Sequence, residues 1–281
     1  YCNHCGESGS LAKGWNSDPE RSERWERAEK RKLPPKPINP LAGAEAVRVA
    51  QQLEAQRGIP ADFLAAAGVT PANRWCMDCE DFVQMVAMPY TKHGKHVHTK
   101  YRHTAADGEK HFNTDDRTER CLYGYDEVVG ADGWKPIVLC EGEYDALAIR
   151  YADRNTNLWR VASVPDGAGA INSTIEGQLK RKEQPNASRV RLPWLEDEDV
   201  TAALLDAPFV VLWVDTDVPG QRFLDELANR LGRERIRVVQ PVAGVKDAND
   251  VLKAHGPDAV LQALQDATHV PVQGVIQLGD I

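Results

Sequence analysis

The sequence predicts an α/β protein in which a small α+β subdomain, residues 41–135, precedes a doubly wound parallel sheet, residues 136–268. Four short runs in the second region are apolar and rich in β-branched residues, as is typical of strands buried on both faces. These runs are residues 137–140, 161–164, 209–214 and 236–239. Helical patterns lie between them, and alternating strands and helices indicate a parallel sheet that is covered on both sides.

The first 40 residues are predicted to form two small segments. Residues 1–15 begin abruptly within a Cys-rich fragment with no initiator Met, so we expect the chain to come from a longer protein. Residues 16–40 begin with an exposed helix, because acidic residues precede basic ones by four positions between Glu20 and Lys30. Three prolines at positions 34–37 stop this helix and predict a semi-rigid linker.

Two helices and a β-hairpin are predicted within residues 41–135. An Ala- and Leu-rich pattern over residues 41–69 is broken at Gly58 and Pro60, which indicates two short packed helices. Two strands with turn residues beside them follow. The strands are residues 82–90 and 97–102, and the turns are residues 92–94 and 107–108.

The composition excludes a disordered chain and a membrane-spanning one. Of the 281 residues, 42% are hydrophobic, and no apolar run reaches the roughly 18 residues that a membrane helix needs. The formal net charge is −8, and the acidic excess falls almost entirely after residue 140. Proteins that bind nucleic acid usually present a basic face, but carboxylates can hold divalent cations that reverse the field a phosphate meets. The acidic half can therefore still handle a polyanion.

Acidic residues directly follow two of the predicted strands. Glu141 follows the first strand, and Asp215 and Asp217 follow the third. Ligands of an open parallel sheet collect at the carboxyl ends of its strands, and the period of a strand directs Asp215 and Asp217 to one side. Carboxylates held together repel unless a cation lies between them, which predicts a Mg²⁺ site. The alternative for each residue is that it caps the following helix, although capping does not require the whole set.

Two motifs resemble those of a known family. LCEGEYDAL (residues 139–147) and VDTDVPG (residues 214–220) are similar to the Glu-Gly and Asp-x-Asp-x-x-Gly motifs of the topoisomerase–primase, or TOPRIM, fold. Residues 245–250 and 122–124 resemble segments of phage primase-helicase fusions and of their mitochondrial helicase relative. The resemblance covers roughly residues 41–268. The sequence has no Gly-x-x-x-x-Gly-Lys-Ser/Thr loop, so this chain carries no motor of that type.

The resemblance implies a DNA primase, a nucleotidyltransferase that joins ribonucleotides into a short RNA on single-stranded DNA during replication. It implies catalytic roles for Glu141, Asp215 and Asp217 in holding Mg²⁺ or Mn²⁺, with two ions expected. Asp247 is a further expected metal ligand, and Asp145, one helical turn after Glu141, is a supporting carboxylate. In the family Glu141 is also discussed as a proton acceptor.

Basic residues are expected to face these carboxylates, because metals alone do not hold a nucleoside triphosphate. Lys100 and Arg102 alternate along one predicted strand and so share a face, with Lys110 across the following turn. Composition alone favours a solvated hairpin edge for these residues. The family places basic residues of this subdomain against the incoming nucleotide, which implies nucleotide binding by all three and, as a further candidate, by Lys246.

The six cysteines indicate thiols or metal ligands in a reducing, cytosol-like compartment, because no secretory leader is present. Cys2 and Cys5 resemble one knuckle of the zinc ribbon with which such primases read their template, and zinc needs two further ligands. Those ligands lie upstream, or Cys76 and Cys79 supply them, although a loop with two unliganded thiols is the favoured interpretation of that pair. The remaining two cysteines are predicted to be buried apolar residues, namely Cys121 and Cys140.

The expected partners are a single-stranded DNA template, ribonucleoside triphosphates and a replicative helicase, with no membrane. The expected location is the cytoplasm, that of the host cell if a bacteriophage encodes the protein. Residues 269–281 resemble a linker that leads into a helicase, so we expect the natural protein to continue beyond Ile281. Two alternatives keep the fold: a catalytically weak TOPRIM domain that binds DNA or docks a helicase, and a TOPRIM nuclease or topoisomerase-like domain that cleaves DNA.

Overall fold

A computed structural model describes most of the chain between Lys32 and Val270. The described residues are 32–76, 80–103, 112–115, 117–130, 133–165, 167, 169, 175–176, 179–180 and 192–270. The predicted zinc-ribbon fragment, the charged helix up to residue 31 and the linker after residue 270 lie outside them.

An antiparallel sheet and its helices form the first part of the structure. Its elements are α1 (Gly43–Arg57), α2 (Ala61–Ala66), β1 (Thr70–Cys76), β2 (Asp81–Lys92), β3 (Lys95–His103), β4 (Phe112–Thr114) and α3 (Tyr125–Val129). The strands lie side by side in the order β1-β2-β3-β4. The two short helices and the hairpin of β2 and β3 confirm the prediction, and Gly58, in a left-handed conformation, ends α1 at the predicted break.

A mostly parallel sheet forms the second part. Its elements are β5 (Ile137–Cys140), α4 (Glu143–Asp153), β6 (Arg160–Ser163), α5 (Glu198–Asp206), β7 (Val210–Trp213), α6 (Val218–Leu231), β8 (Ile236–Val238), α7 (Ala248–His255), α8 (Pro257–Gln265) and β9 (Thr268–His269). The strand order is β6-β5-β7-β8-β9, with β9 antiparallel to β8 and the other pairs parallel. The predicted α/β class and parallel sheet are confirmed.

Burial explains the apolar strands of the parallel sheet. Every residue of β5, β6 and β7 is buried. One continuous core joins these strands to Val86, Met88 and Tyr90 of β2, so the two sheets share apolar packing. A smaller cluster around Met85 and Tyr101 covers the other face of the antiparallel sheet. Among the described residues, no helix has both the length and the apolar character needed to cross a bilayer.

Strand β1 is absent from the sequence-based prediction. Its sequence, TPANRWC, does not alternate between apolar and polar residues, and Pro71 disfavours a strand. The proline is tolerated because β1 lies at the edge of the sheet, where, within the described chain, only a short bridge at Pro40 pairs with its outer side. The structure also corrects the interpretation of Cys76 as a loop residue, since it ends β1 and is buried beside Met85. Cys79 lies outside the described residues.

An ionic contact joins the hairpin of β2 and β3 to helix α5. Lys92 Nζ lies 2.9 Å from Glu119 Oε1 and 2.6 Å from Asp197 Oδ2. Burial opposes the charge of Asp197, but hydrogen bonds from Lys92 and from the Val200 amide outweigh it and lower the pKa of this carboxyl. Asp197 also caps α5, so one side chain begins the helix and anchors the hairpin.

Lys92→Met is expected to lower the free energy of unfolding by about 2–3 kcal/mol, because it leaves two partly buried carboxylates without their cation. The difference from the wild type should shrink as the pH falls through the lowered pKa of Asp197, since the wild type then loses the ion pair too. Urea denaturation at several pH values measures both effects. The control is Lys95→Met at an exposed lysine of the same hairpin, and an equal loss in both variants would contradict the assigned role.

Candidate active site

A cavity of about 710 Å³ lies between the two sheets, at the carboxyl ends of β5 and β7. Acidic residues after the parallel strands form one part of its lining, and basic residues, mostly from the antiparallel part, form the other. The acidic residues are Glu141, Glu143, Asp145, Asp215, Asp247 and Asp250, and the basic residues are Arg57, Lys100, Arg102 and Lys246. The cavity therefore brings together most of the predicted site residues that the structure describes. Asp217 lies next to this lining, in the loop between β7 and α6.

Glu141 follows β5 and reaches the neighbouring loop. Its Oε1 accepts a hydrogen bond from the Asp215 amide at 3.0 Å. Gly220 lies so close that a Cβ there would come within 2.1 Å of the Asp215 carbonyl oxygen and 2.9 Å of Glu141 Oε1. The close approach of α6 to this carboxylate therefore requires the glycine of the second motif.

The glycine of the first motif, Gly142, is required for a similar reason, because it lies against the Asp145 carboxyl. A Cβ on Gly142 would lie 2.6 Å from Asp145 Oδ2, so any larger residue would displace this partly buried carboxyl. Asp145 Oδ1 accepts a hydrogen bond from the backbone N–H of Asn249 at 3.0 Å. Asp145 therefore joins the start of α4 to the start of α7. It lies close enough to the predicted metal ligands Asp247 and Asp215 to feel their charges.

Lys246 is paired with a predicted metal ligand. Its Nζ lies 2.5 Å from Asp215 Oδ2. This hydrogen bond raises the pKa of Lys246 against the effect of burial, and the charges of Asp217 and Asp247 add to the increase. The loop after β8 thus places one ammonium group among three carboxylates.

Asp217 and Asp247 each begin a helix. Asp217 Oδ1 accepts a hydrogen bond from the Gly220 amide at 2.9 Å, and Asp247 Oδ1 accepts one from the Asp250 amide at 2.8 Å. Capping, the alternative raised for acidic residues at strand ends, is thus observed at these two positions. Each cap uses Oδ1, so a metal ion would have to bind mainly through Oδ2.

The carboxylates fit Mg²⁺ in donor type and in charge. Burial, together with the charges of Asp247 and Asp215, raises the pKa of Asp145 well above its ordinary value. The pocket therefore holds more acidic groups than the Lys246 ammonium balances, and Mg²⁺ prefers oxygen donors of this kind. Within the described part of the chain, no three His, Cys, Asp or Glu side chains are gathered closely enough to hold a metal ion. Metal binding by Glu141, Asp215, Asp217 and Asp247 stays a prediction.

Lys100 is held by a carboxylate that the sequence analysis did not single out. Its Nζ lies 2.7 Å from Glu143 Oε1, which also accepts a hydrogen bond from the Tyr90 hydroxyl at 2.5 Å. The Lys100 side chain is only 17% exposed, so it does not belong to a solvated hairpin edge. The sequence offered no reason to single out Glu143, because acidic residues are common in the first turn of a helix, where they interact favourably with the helix dipole.

Two arginines lie against the ring of Tyr144. The Cζ atoms of Arg57 and Arg102 are 4.1 Å and 5.2 Å from its centroid. Burial and the charge of Arg57 lower the pKa of Arg102. Arg57 also donates a hydrogen bond to Asn249 Oδ1 at 3.3 Å. The sequence held no signal for Arg57, because it and Asn249 are 192 positions apart. Two guanidinium groups at one cavity wall favour an anionic ligand.

Other predicted residues lie outside the described part or in the core. The residues outside it are Lys110, Cys2, Cys5 and Cys79. Cys121 and Cys140 are buried, which confirms their predicted apolar environment. Burial raises the pKa of the Cys121 thiol to about 12, so this group is not a nucleophile at neutral pH.

Comparisons with known proteins agree with the predicted fold and with the resemblance of the motifs. The chain is 32% identical over 201 residues to the Twinkle homolog protein, chloroplastic/mitochondrial, of Arabidopsis thaliana, and 31% identical over 221 residues to the primase homolog protein of the same plant. Its fold is similar to that of the primase fragment of the bacteriophage T7 primase-helicase protein, with a TM-score of 0.51 and 22% identity over 85% of this chain and 84% of that chain. The chain contains a TOPRIM-type primase domain.

The primase domain spans less than two thirds of these relatives. The matches include 70% and 75% of this chain, but only 26% of the Twinkle homolog and 60% of the primase homolog. No family model matches the chain. At 22% identity the T7 fragment shows the fold alone, so the activity of the primase domain has to be argued from its own residues.

Glu143→Ala in the primase domain is expected to lower the free energy of unfolding by about 3 kcal/mol, because Lys100 and the Tyr90 hydroxyl lose their shared acceptor. Glu143→Gln should cost about half as much, since its amide oxygen still accepts a hydrogen bond from Tyr90. Guanidinium denaturation measures both values. Glu198→Ala, at an exposed first-turn position of α5, is the matched control, and a comparable loss there would show that the contact to Lys100 contributes little.

Proposed function

We propose that this chain is the RNA-synthesising part of a DNA primase, which joins ribonucleoside triphosphates on a single-stranded DNA template. The observation that carries the proposal is the cavity between the sheets, where carboxylates face Lys100, Arg102 and Lys246. Transfer of a nucleotide needs this combination, because acidic groups hold the metal ions and basic groups hold the triphosphate. The name of one plant relative, the primase homolog protein, supports the same class of protein.

The proposed reaction joins the 3′-hydroxyl of a primer to the α-phosphate of a nucleotide. A bond forms between the hydroxyl oxygen and the α-phosphorus, the bond to the β-phosphate oxygen breaks, and pyrophosphate leaves. Glu141 is proposed to take up the hydroxyl proton, because the Asp215 amide orients its carboxylate at the strand end. Two Mg²⁺ or Mn²⁺ ions held by Glu141, Asp215, Asp217 and Asp247 would supply neutralising charge at the α-phosphate and the pyrophosphate.

The basic residues are proposed to hold the triphosphate. Lys100 and Arg102 enter the cavity from β3, and Arg57 adds a second guanidinium group beside Tyr144. Lys246 is 52% exposed at its side chain, so its flexible ammonium can exchange Asp215 for a phosphate. Lys110 is proposed for the same role.

The other ligands and partners of the protein are proposals as well. Single-stranded DNA is the proposed template, and a replicative helicase, in the same or a separate chain, is the proposed partner. Cys2 and Cys5 are proposed to bind zinc within a template-reading module that needs two more ligands. A cytoplasmic location remains a prediction, and the Twinkle homolog is named for chloroplasts and mitochondria.

A second candidate is a TOPRIM domain that binds DNA or docks a helicase but synthesises RNA only weakly. Two observations favour it. Helix amides engage one oxygen each of Asp217 and Asp247, and Lys246 engages Asp215, which leaves fewer carboxylate oxygens for cations. Measurements of RNA synthesis separate the two candidates.

Asp215→Asn is expected to reduce RNA synthesis at least about 100-fold, because it removes a charge that the reaction needs near the α-phosphate. Incorporation of labelled ribonucleotides is followed on single-stranded DNA with an annealed RNA primer, in Mg²⁺ and in Mn²⁺, so that template selection is not required. DNA affinity should stay within about threefold of the wild type, since Asp215 is not proposed to bind the strand.

The matched control is Asp225→Asn, at an exposed carboxylate of α6. Equal synthesis by the Asp215 and Asp225 variants would contradict the proposed active site. A folded wild-type chain that binds DNA and makes no RNA would favour the second candidate. Shortened template strands would favour DNA cleavage instead.

Lys100→Ala combined with Arg102→Ala is expected to raise the KM for ribonucleotides about 10-fold or more, because two charge-assisted contacts to phosphate are lost. The kcat should fall less than the KM rises, because residues that bind the triphosphate equally well in the ground state and in the transition state affect mainly the KM. Steady-state kinetics on a primed template give both constants. Lys95→Ala, at an exposed lysine of the same strand, is the control, and a loss of DNA affinity alone in the double variant would contradict the assignment.

A further inference from the structure

Three large aromatic side chains are exposed at one end of the antiparallel sheet. Phe82 is 62% exposed, Phe112 is 49% exposed and Trp75 is 42% exposed. The rings of Trp75 and Phe82 meet edge to face, with centroids 5.4 Å apart. Aromatic surface left in water in this way often marks a binding site.

These side chains lie on one face of the sheet. Trp75 is opposite Phe82 in the pairing of β1 with β2, and Arg102 is opposite both Val86 and Phe112. Phe82 and Val86 are an even number of positions apart on β2, so they point to the same side. Because Arg102 lines the cavity, the aromatic side chains share the face that carries the proposed active site.

Direct contacts link this surface to the cavity. The ring of Phe112 lies 5.3 Å from Lys100 Nζ and 5.4 Å from Arg102 Cζ. The side chain of its neighbour Asn113 lies on the other face, since Asn113 is opposite Tyr101, and there it donates a hydrogen bond from Nδ2 to the Trp75 carbonyl at 2.9 Å. The backbones of β4 and of the end of β1 therefore approach each other, although these are opposite edge strands. We call the exposed aromatic surface that consists of Phe112, Trp75 and Phe82 the aromatic path.

The chemistry of the aromatic path suits a single nucleic-acid strand. Every base can stack on an aromatic ring, while lysine and arginine attract the phosphates between the bases. Phe112 connects the path to the cavity, because its ring contacts Lys100 and Arg102 and about half of its surface stays exposed. The path therefore begins at the cavity, where the proposed reaction needs a template.

We propose that the aromatic path binds the single-stranded DNA template by base stacking where the strand lies outside the cavity. The position of the template rests on the proposed function. The path adds residues, Trp75 and Phe82 above all, that hold the strand without touching the reacting atoms. Stacking of this kind does not depend on the base sequence, and a primase that copies different template sequences requires such tolerance.

Trp75→Ala combined with Phe82→Ala is expected to weaken binding of a labelled oligothymidylate of about 16 nucleotides by about 10- to 100-fold. Phe112→Ala should weaken it by about 10-fold. An oligothymidylate of about 4 nucleotides should respond to Phe112→Ala but little to the double variant, since it is too short to leave the cavity. Fluorescence anisotropy measures the affinities, and Trp75→Phe should restore most of the binding because a ring remains.

Trp134→Ala is the matched control, because Trp134 is 78% exposed and precedes β5, away from the path. Its affinity should stay within about twofold of the wild type. The salt dependence of binding should keep its slope in the aromatic variants, since stacking neutralises no phosphate. An unchanged affinity of the folded double variant for the longer strand would overturn the proposal and leave protein docking as the use of this surface.

DNA affinity is measured without nucleotides, so this test does not depend on RNA synthesis. A chain that binds DNA through the aromatic path but makes no RNA would contradict the proposed function alone. A chain that makes RNA but binds the longer strand equally well without Trp75 and Phe82 would contradict the path alone.

Discussion

Like-charge repulsion at the carboxyl end of the parallel sheet is the constraint on which the site depends. Parallel pairing of β5 with β7 brings Glu141 to the Asp215 loop, and Asp145 lies between further carboxylates. The fold balances this charge in three ways: helix amides bind one oxygen each of Asp217 and Asp247, an ammonium group pairs with Asp215, and a raised pKa favours a proton on Asp145. The proposed divalent cations would add to this balance of charge.

The antiparallel sheet supplies the opposite charge, and polar contacts help to hold it in place. Lys92 ties its hairpin to α5, while Lys100 reaches across to buried Glu143 at the start of α4. Arg57 makes a third link, from the end of α1 to Asn249 of α7. Because the three links start from different elements, they restrain rotation of one sheet against the other. The cationic wall of the cavity therefore keeps a defined distance from the acidic one.

Local sequence predicted the parallel sheet well because its signals are local. A run of apolar β-branched residues is buried on both faces wherever helices cover it, and an acidic residue after such a run lies at the carboxyl end. The motif glycines also follow from close packing, since Gly142 lies against the Asp145 carboxylate of the following helix turn and Gly220 against the Glu141 carboxylate of the neighbouring strand end. Strand β1 escaped prediction because an edge strand with Pro71 is stabilised by its partner strand.

The sequence by itself thus determined the order of most strands and helices, the buried runs and most of the acidic residues that line the cavity. Only the tertiary structure decided the partners of the charged side chains. Lys100 meets Glu143 and Arg57 meets Asn249 because two sheets pack together, and no periodicity records contacts between segments so far apart. The aromatic path has the same origin, since β4, which carries Phe112, approaches the Trp75 backbone only because the sheet curls and brings its two edges together.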